Sequence, residues 1–295
     1  MRDFNPDKKI ARVEKVKVNF STSQRDYTDI DAVGVEAIRR IDGSKSFAYY
    51  GKIKITQVVF GYYKLDEKNR ILDAIQVDNP PVIRYSKGTW LDVPRFALEI
   101  LTARRLHVGG AIHAAQHAIM SLMPNFVISM PGDVRTECKN HLKEFAKRET
   151  QRKRPARLIF YDAKGGAGGS GINTKAFEFI DILLRKALGR VLACQCHDGC
   201  IECVCSEFCK EANSVISKAG AEVILKSLLD EEIDVERLPM GPEEASPAGV
   251  ETVVLAKPVP SRNRKTVKII GLAGEEIEIQ VNDKQDEEEE GESGS

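Results

Sequence analysis

Hydrophobic and polar positions alternate along the first third of the chain. Val16, Val18 and Phe20 keep a repeat of two, and Ile53, Ile55 and Val59, with Gln57 in the same phase, keep it further on. That is the period of half-buried strands. Gly51 and Gly61 bracket the best of these runs, and Asn79-Pro80-Pro81 and Lys87-Gly88 punctuate the next ones. Residues 1–93 are therefore predicted to be a β-rich region, an antiparallel meander or small barrel.

After Pro94 the period becomes helical, first through Phe96, Ile100 and Leu101, then from Gly110 to Met123 through Ile112, Ala115, Ile119 and Leu122. Phe126–Met130 and Arg157–Tyr161 are short apolar runs that read as buried strands. Asn173 or Thr174 is expected to cap a helix carrying Phe177, Ile180, Leu183, Leu184 and Leu188. Ser214 is expected to cap another carrying Ile216, Val223, Leu225 and Leu228. Residues 94–230 thus read as an α/β domain, and the fold class as mixed α/β. From Glu231 the chain turns charged and proline-rich, which predicts a linker of about thirty residues. A hairpin is expected where Val267–Ile270 and Ile277, Ile279 and Val281 flank Gly271 and Gly274, and an acidic run follows within 231–295.

At 295 residues, 42% of them hydrophobic, the chain can build about two domains around real cores. Its 44 basic and 44 acidic side chains cancel, but not locally. Residues 231–295 hold 17 acidic and 7 basic groups, leaving 37 basic against 27 acidic in residues 1–230. An acidic tail thus offsets a basic body, and it can mimic nucleic acid and cover the basic face. No apolar run is long enough to span a membrane, and the charged start is unlike a signal peptide, so a soluble intracellular protein is expected.

Six of the seven cysteines fall between Cys194 and Cys209. Thiolates one to three residues apart on a turn-rich loop can wrap one ion at small loop-closure cost, and in a reducing compartment such crowding points to metal, here zinc. An iron–sulfur cluster uses similar ligands, and unligated thiols are the remaining alternative. Cys194, Cys196, Cys200 and Cys203 are the favoured four, Cys209 is the first substitute, and Cys205 is supernumerary. Gly199 would turn the backbone between the two halves. With no acidic or histidine ligand leaving an open position, the expected role is structural.

His113 and His117 stand four apart on one helix face. A zinc protease needs a glutamate directly after the first histidine, and Ala114 stands there, which excludes hydrolysis of that type. A packed, hydrogen-bonded pair is expected, or else a phosphate or partner contact. Asp162 leads into the glycine run Lys164–Gly171, with Gly165 and Gly166 at its start. Strand, glycine loop and helix is the order that cradles phosphate, but the Gly-Lys-Ser/Thr ending of a P-loop is missing. Tight backbone packing or a nucleic-acid phosphate contact remains. Between Lys139 and Arg157 eight basic residues face two glutamates. Lys147, Arg148, Arg152, Lys153 and Arg154, with Lys164, are the candidate nucleic-acid contacts, and the run also suits a nuclear import signal.

Taken together, Arg105-Leu-His107, His113-Ala-Ala-Gln-His117, Leu122-Met-Pro124, Leu158–Asp162 with its glycine loop, and the cysteine series resemble the zinc-binding C-terminal region of a DNA helicase family. That family comprises bacterial mitomycin repair factor A and its fungal RecQ-like relatives of interstrand-crosslink repair. The resemblance covers about residues 45–230. It departs from the family at Lys164, where proline is usual, and in the extra Cys205. It implies an ATP-dependent 3′–5′ DNA translocase whose zinc domain packs on the motor and holds single-stranded DNA, and it maps the metal ligands onto Cys194, Cys196, Cys200, Cys203 and Cys209. The motor's own motifs are missing, so a nuclear accessory fragment without ATPase activity is expected, with single-stranded DNA and the parent's motor domains as partners. The alternatives are a zinc-stabilised docking module that never touches DNA and a free-standing metalloenzyme.

Overall fold

The computed structural model describes residues 2–5, 8–138, 154–242, 253–254, 264–270 and 276–282. Short strands β1 (Asp3–Asn5) and β2 (Ile10–Arg12) pair with each other. Val16, Val18 and Phe20 alternate as a strand should, yet residues 13–20 form none. All three side chains are exposed, so their pattern has no core to serve. The regular sheet begins with β3 (Ser21–Arg40) and continues through β4 (Phe47–Leu65), β5 (Ile71–Gln76) and β6 (Val82–Asp92).

Gly51 and Gly61 lie inside β4, and Lys87-Gly88 inside β6, rather than at turns. A Cβ at Gly51 would lie 2.0 Å from the Gly34 carbonyl oxygen, and one at Gly88 would lie 2.2 Å from that of Phe160. These glycines are sites where a neighbouring backbone comes close, which the sequence pattern does not distinguish from punctuation.

Two helices follow, α1 (Arg95–Ala103) and α2 (Val108–Met120), and then β7 (Val134–Thr136), β8 (Arg154–Pro155) and β9 (Arg157–Asp162). Arg157–Tyr161 is the buried strand expected. Phe126–Met130 is not a strand: it follows a 3-10 turn at Met123–Asn125, and Ile128 is fully exposed. The expected long helix breaks at Phe179 into α3 (Ile172–Glu178) and α4 (Ile180–Ala193). Gly171, in the left-handed region, opens α3, so neither Asn173 nor Thr174 caps it. The last helix, α5 (Lys218–Leu229), is capped by Ser217, whose Oγ accepts from the Gly220 amide at 3.1 Å, rather than by Ser214, and Ile216 precedes it.

The main sheet runs β11–β12–β3–β4–β6–β9–β7 with β5 on β4, where β11 (Arg264–Ile270) and β12 (Glu276–Asn282) are the expected C-terminal hairpin. β12 adds to the edge of β3, pairing Ile279 with Arg39 and Val281 with Ala37. The apparent linker is also partly structured: Leu238 is buried, Arg104 donates to the Val235 carbonyl at 2.6 Å, and the Gly241 amide donates to the Arg104 carbonyl at 2.9 Å. β10 (Val253–Val254) pairs with β8.

By packing, the chain divides into residues 1–28 with 56–83, and residues 29–55 with 84–295. The second unit holds the main core. Successive residues of its strands point to opposite faces. Leu91, Leu158 and Phe160 meet the helices, while Trp90, Ile159 and Tyr161 join Ile30, Ile53 and Ile55 on the other side. The protein is a mixed α/β fold, a β-rich N-terminal region followed by an α/β domain. Helix α2 is buried almost all round, and α5 crosses it through small residues: a Cβ on Gly220 would sit 2.5 Å from that of Ala111. No described helix is long and apolar enough to cross a membrane.

Candidate metal centre

Helix α4 ends at Ala193, and the backbone of Cys194 turns extended at its C-terminus. The 24 residues from there to α5 carry the cysteine series, as expected of a connection between helices. Its turn is built on one carbonyl: the Cys200 oxygen accepts from the amides of Cys203, Val204 and Cys205 at 3.0, 3.1 and 3.0 Å. Gly199 enters that turn at φ +123°, and a Cβ there would lie 2.6 Å from Val204 Cγ2. Glycine is required on both grounds.

The turn converges four thiols. Cys194 and Cys200 Sγ are 3.5 Å apart, Cys196 and Cys203 3.4 Å, and Cys200 and Cys203 3.7 Å. All four sulfurs lie within 4.8 Å of one another. A tetrahedron with zinc–sulfur bonds of about 2.3 Å has edges of about 3.8 Å, so the four fit one zinc ion with every position taken by protein. Their proton affinities are already driven apart. Hydrogen bonds, that from the Cys196 backbone first, lower Cys194 to about 7, while burial pushes Cys203 up to about 12. A divalent cation replaces such unevenly held protons with one shared charge.

A residue outside the series locks the loop. Lys218, the first residue of α5, donates through Nζ to the carbonyls of Cys194 and Cys196 at 2.6 and 2.7 Å. Its ammonium also offsets the negative charge of a metal tetrathiolate. No spacing signal marks it, because it lies 24 residues beyond Cys194.

The other candidates are distributed as follows. Cys205 belongs to neither convergent group, and burial raises its thiol pKa. Cys209 lies with Cys138, His113 and His117 instead of with the four cysteines. Asp162, buried at the end of β9, accepts from the amides of Ser170, Gly171 and Asn173 at 2.8, 3.0 and 3.0 Å and from Asn173 Nδ2 at 2.7 Å. The amides that would cradle a phosphate at the start of α3 are thus turned onto a carboxylate of the chain itself. Gly165, at φ +89°, leaves no room for a Cβ, which would sit 2.1 Å from the Gly169 carbonyl oxygen, whereas Gly166 borders open space. Lys164 is exposed and pairs with Asp133 at 2.8 Å, a hydrogen bond that holds the Asp133 carboxyl below its usual range. Lys147, Arg148, Arg152 and Lys153 lie outside the described residues, and Arg154 opens β8.

An α/β domain holding a closed four-thiolate zinc site between two core helices is the class that this geometry defines. Residues 115–204 match the sequence profile of the MrfA Zn-binding domain. Over 257 residues the chain is 49% identical to the ATP-dependent helicase HRQ1 of Saccharomyces cerevisiae, covering 86% of this chain and 24% of that one. It is 38% identical over 259 residues to the ATP-dependent helicase hrq1 of Schizosaccharomyces pombe, with the same coverages. The crystal structure of DUF1998 helicase MrfA bound to DNA shares the fold at a TM-score of 0.51 and 18% identity, over 77% of this chain and 28% of that one. Residues 115–204 thus carry the zinc-binding domain of that family, and zinc is the cofactor. The chain spans about a quarter of the length of the yeast helicases that it matches.

Proposed function

We propose that this chain is the zinc-stabilised accessory region of an ATP-dependent 3′–5′ DNA helicase of interstrand-crosslink repair, which works in the nucleus and guides single-stranded DNA for motor domains outside the sequence in hand. The four converging thiols carry this reading. They give a rigid knuckle between α4 and α5 and leave zinc no open position, so its part is to hold shape and not to activate water. Support for the helicase context comes from the 49% identity to HRQ1.

The contact to DNA rests on charge. Lys147, Arg148, Arg152 and Lys153 belong to the most basic stretch of the chain, and Arg154 and Lys164 extend it. The ion pair of Lys164 is exposed and weak enough for a phosphate to compete with it. Binding of a fluorescent single-stranded oligonucleotide is expected to weaken steeply with added salt. Replacing Lys147, Arg148, Arg152 and Lys153 together by glutamate is expected to weaken it by at least about tenfold at low salt. Unchanged affinity would remove the patch from the interface.

Docking without DNA is the second reading. It is favoured by apolar side chains held in solvent, Ile128 at 101% and Met130 at 71% exposure, on the loop before β7. No oligonucleotide binding at any salt concentration would select it.

A further inference from the structure

Helix α2 buries two imidazoles among alanines, His113 at 0% and His117 at 1% exposure. Burying a polar ring is costly unless its nitrogens find partners. Here the partners are sulfur: His113 Nε2 lies 3.5 Å from Cys209 Sγ, and His117 Nε2 lies 4.0 Å from Cys138 Sγ. The ligand atoms of all four residues fall within 4.8 Å of one another.

We propose that His113, His117, Cys138 and Cys209 form a second zinc site, separate from the four-cysteine knuckle. Two imidazoles and two thiolates are a donor set that selects zinc, and four of them close its tetrahedral shell. The orientation is also that of a ligand. His113 Nδ1 lies 2.8 Å from the Val215 carbonyl, which accepts the ring N–H, places the proton on that nitrogen and leaves the Nε2 lone pair facing Cys209. The Asn213 amide donates to Cys209 Sγ at 3.3 Å, as second-shell donors do to metal thiolates. His117 Nδ1 is buried without a hydrogen-bond partner, so the ring's polar contact is the one its Nε2 makes on the sulfur side.

The four come from three separate parts of the chain: α2, the segment after β7, and the end of the cysteine loop. One ion would cross-link the central helix to both. It would also anchor the basic stretch at its root, because Lys139 follows Cys138 directly. A site of this kind stabilises by joining residues far apart in sequence.

Native mass spectrometry of the full chain, purified reduced and without chelator, is expected to count two zinc ions. Zinc K-edge absorption is expected to average three sulfurs to one nitrogen, the mean of a four-cysteine and a two-cysteine, two-histidine shell. Cys209→Ala should leave one ion in an all-sulfur shell, and Cys200→Ala one ion in a mixed shell. The count on the unmodified chain decides even where a variant fails to fold. One zinc surrounded by sulfur alone would overturn the second site and leave the four-thiolate reading standing. One zinc in a mixed shell, retained by Cys200→Ala, would uphold the second site and overturn the other.

Discussion

Two loops of the second unit flank the helices α3 and α4, and they solve opposite problems. The glycine loop before α3 collects backbone donors, and the chain supplies the acceptor: four N–H groups of Ser170, Gly171 and Asn173 end on the Asp162 carboxylate. The cysteine loop after α4 collects four soft ligand atoms, and among the described residues the cation clamped on the loop's carbonyls is Lys218. A loop whose polar groups are satisfied internally is complete as folded. A loop whose thiols converge on one another is complete only with an ion. Both sequences look like binding motifs, and the location of the counter-charge separates them.

The contrast can be broken at four points. The largest effect is expected from stripping zinc with a strong chelator or replacing Cys196 by alanine. Either should cost more than about 5 kcal/mol of folding stability, seen as an early thermal transition and loss of protection in α4 and α5 by hydrogen exchange. A fold that survives zinc removal intact would mean that the loop needs no ion. Next comes Asp162→Ala, which leaves buried donors unmatched and should cost about 3 kcal/mol by urea denaturation while the zinc content stays unchanged. If stability were untouched, those amides would be free to serve a ligand after all.

A smaller effect is expected from Gly199→Ala. Its backbone conformation and its 2.6 Å encounter with Val204 should cost about 1–3 kcal/mol and speed zinc transfer to a colorimetric chelator. The smallest belongs to Cys205→Ala: metal count unchanged and a stability loss under about 1 kcal/mol, since this thiol joins neither group. A lost zinc ion there would reassign the ligands.

Much of this was legible beforehand where the determining contacts are local. Cys194, Cys196, Cys200 and Cys203 fall within ten residues, so their convergence follows from a single turn, and Gly199 marks it. The buried strand Arg157–Tyr161 and the helical periods of α1, α2 and α5 were visible because one face or both meet a core. Where a signal has two causes, the reading failed. Gly51 and Gly88 resemble turn residues but sit in strands because a neighbouring backbone presses on them. Val16, Val18 and Phe20 alternate without a surface to pack on, and the apolar run Phe126–Met130 ends in solvent.

By itself, then, the amino-acid order determined the mixed α/β class and the four neighbouring thiols that converge, since periodicity and short spacings act over a few residues. Only the tertiary structure decided that Asp162 occupies its own glycine loop, that β12 closes onto β3, and that Cys138 and Cys209 meet His113 and His117. Asp162 meets its partners 8 to 11 residues on, but His113 and Cys209 stand 96 residues apart and Ile279 pairs with Arg39 from the far end of the chain, so no local pattern announces those meetings.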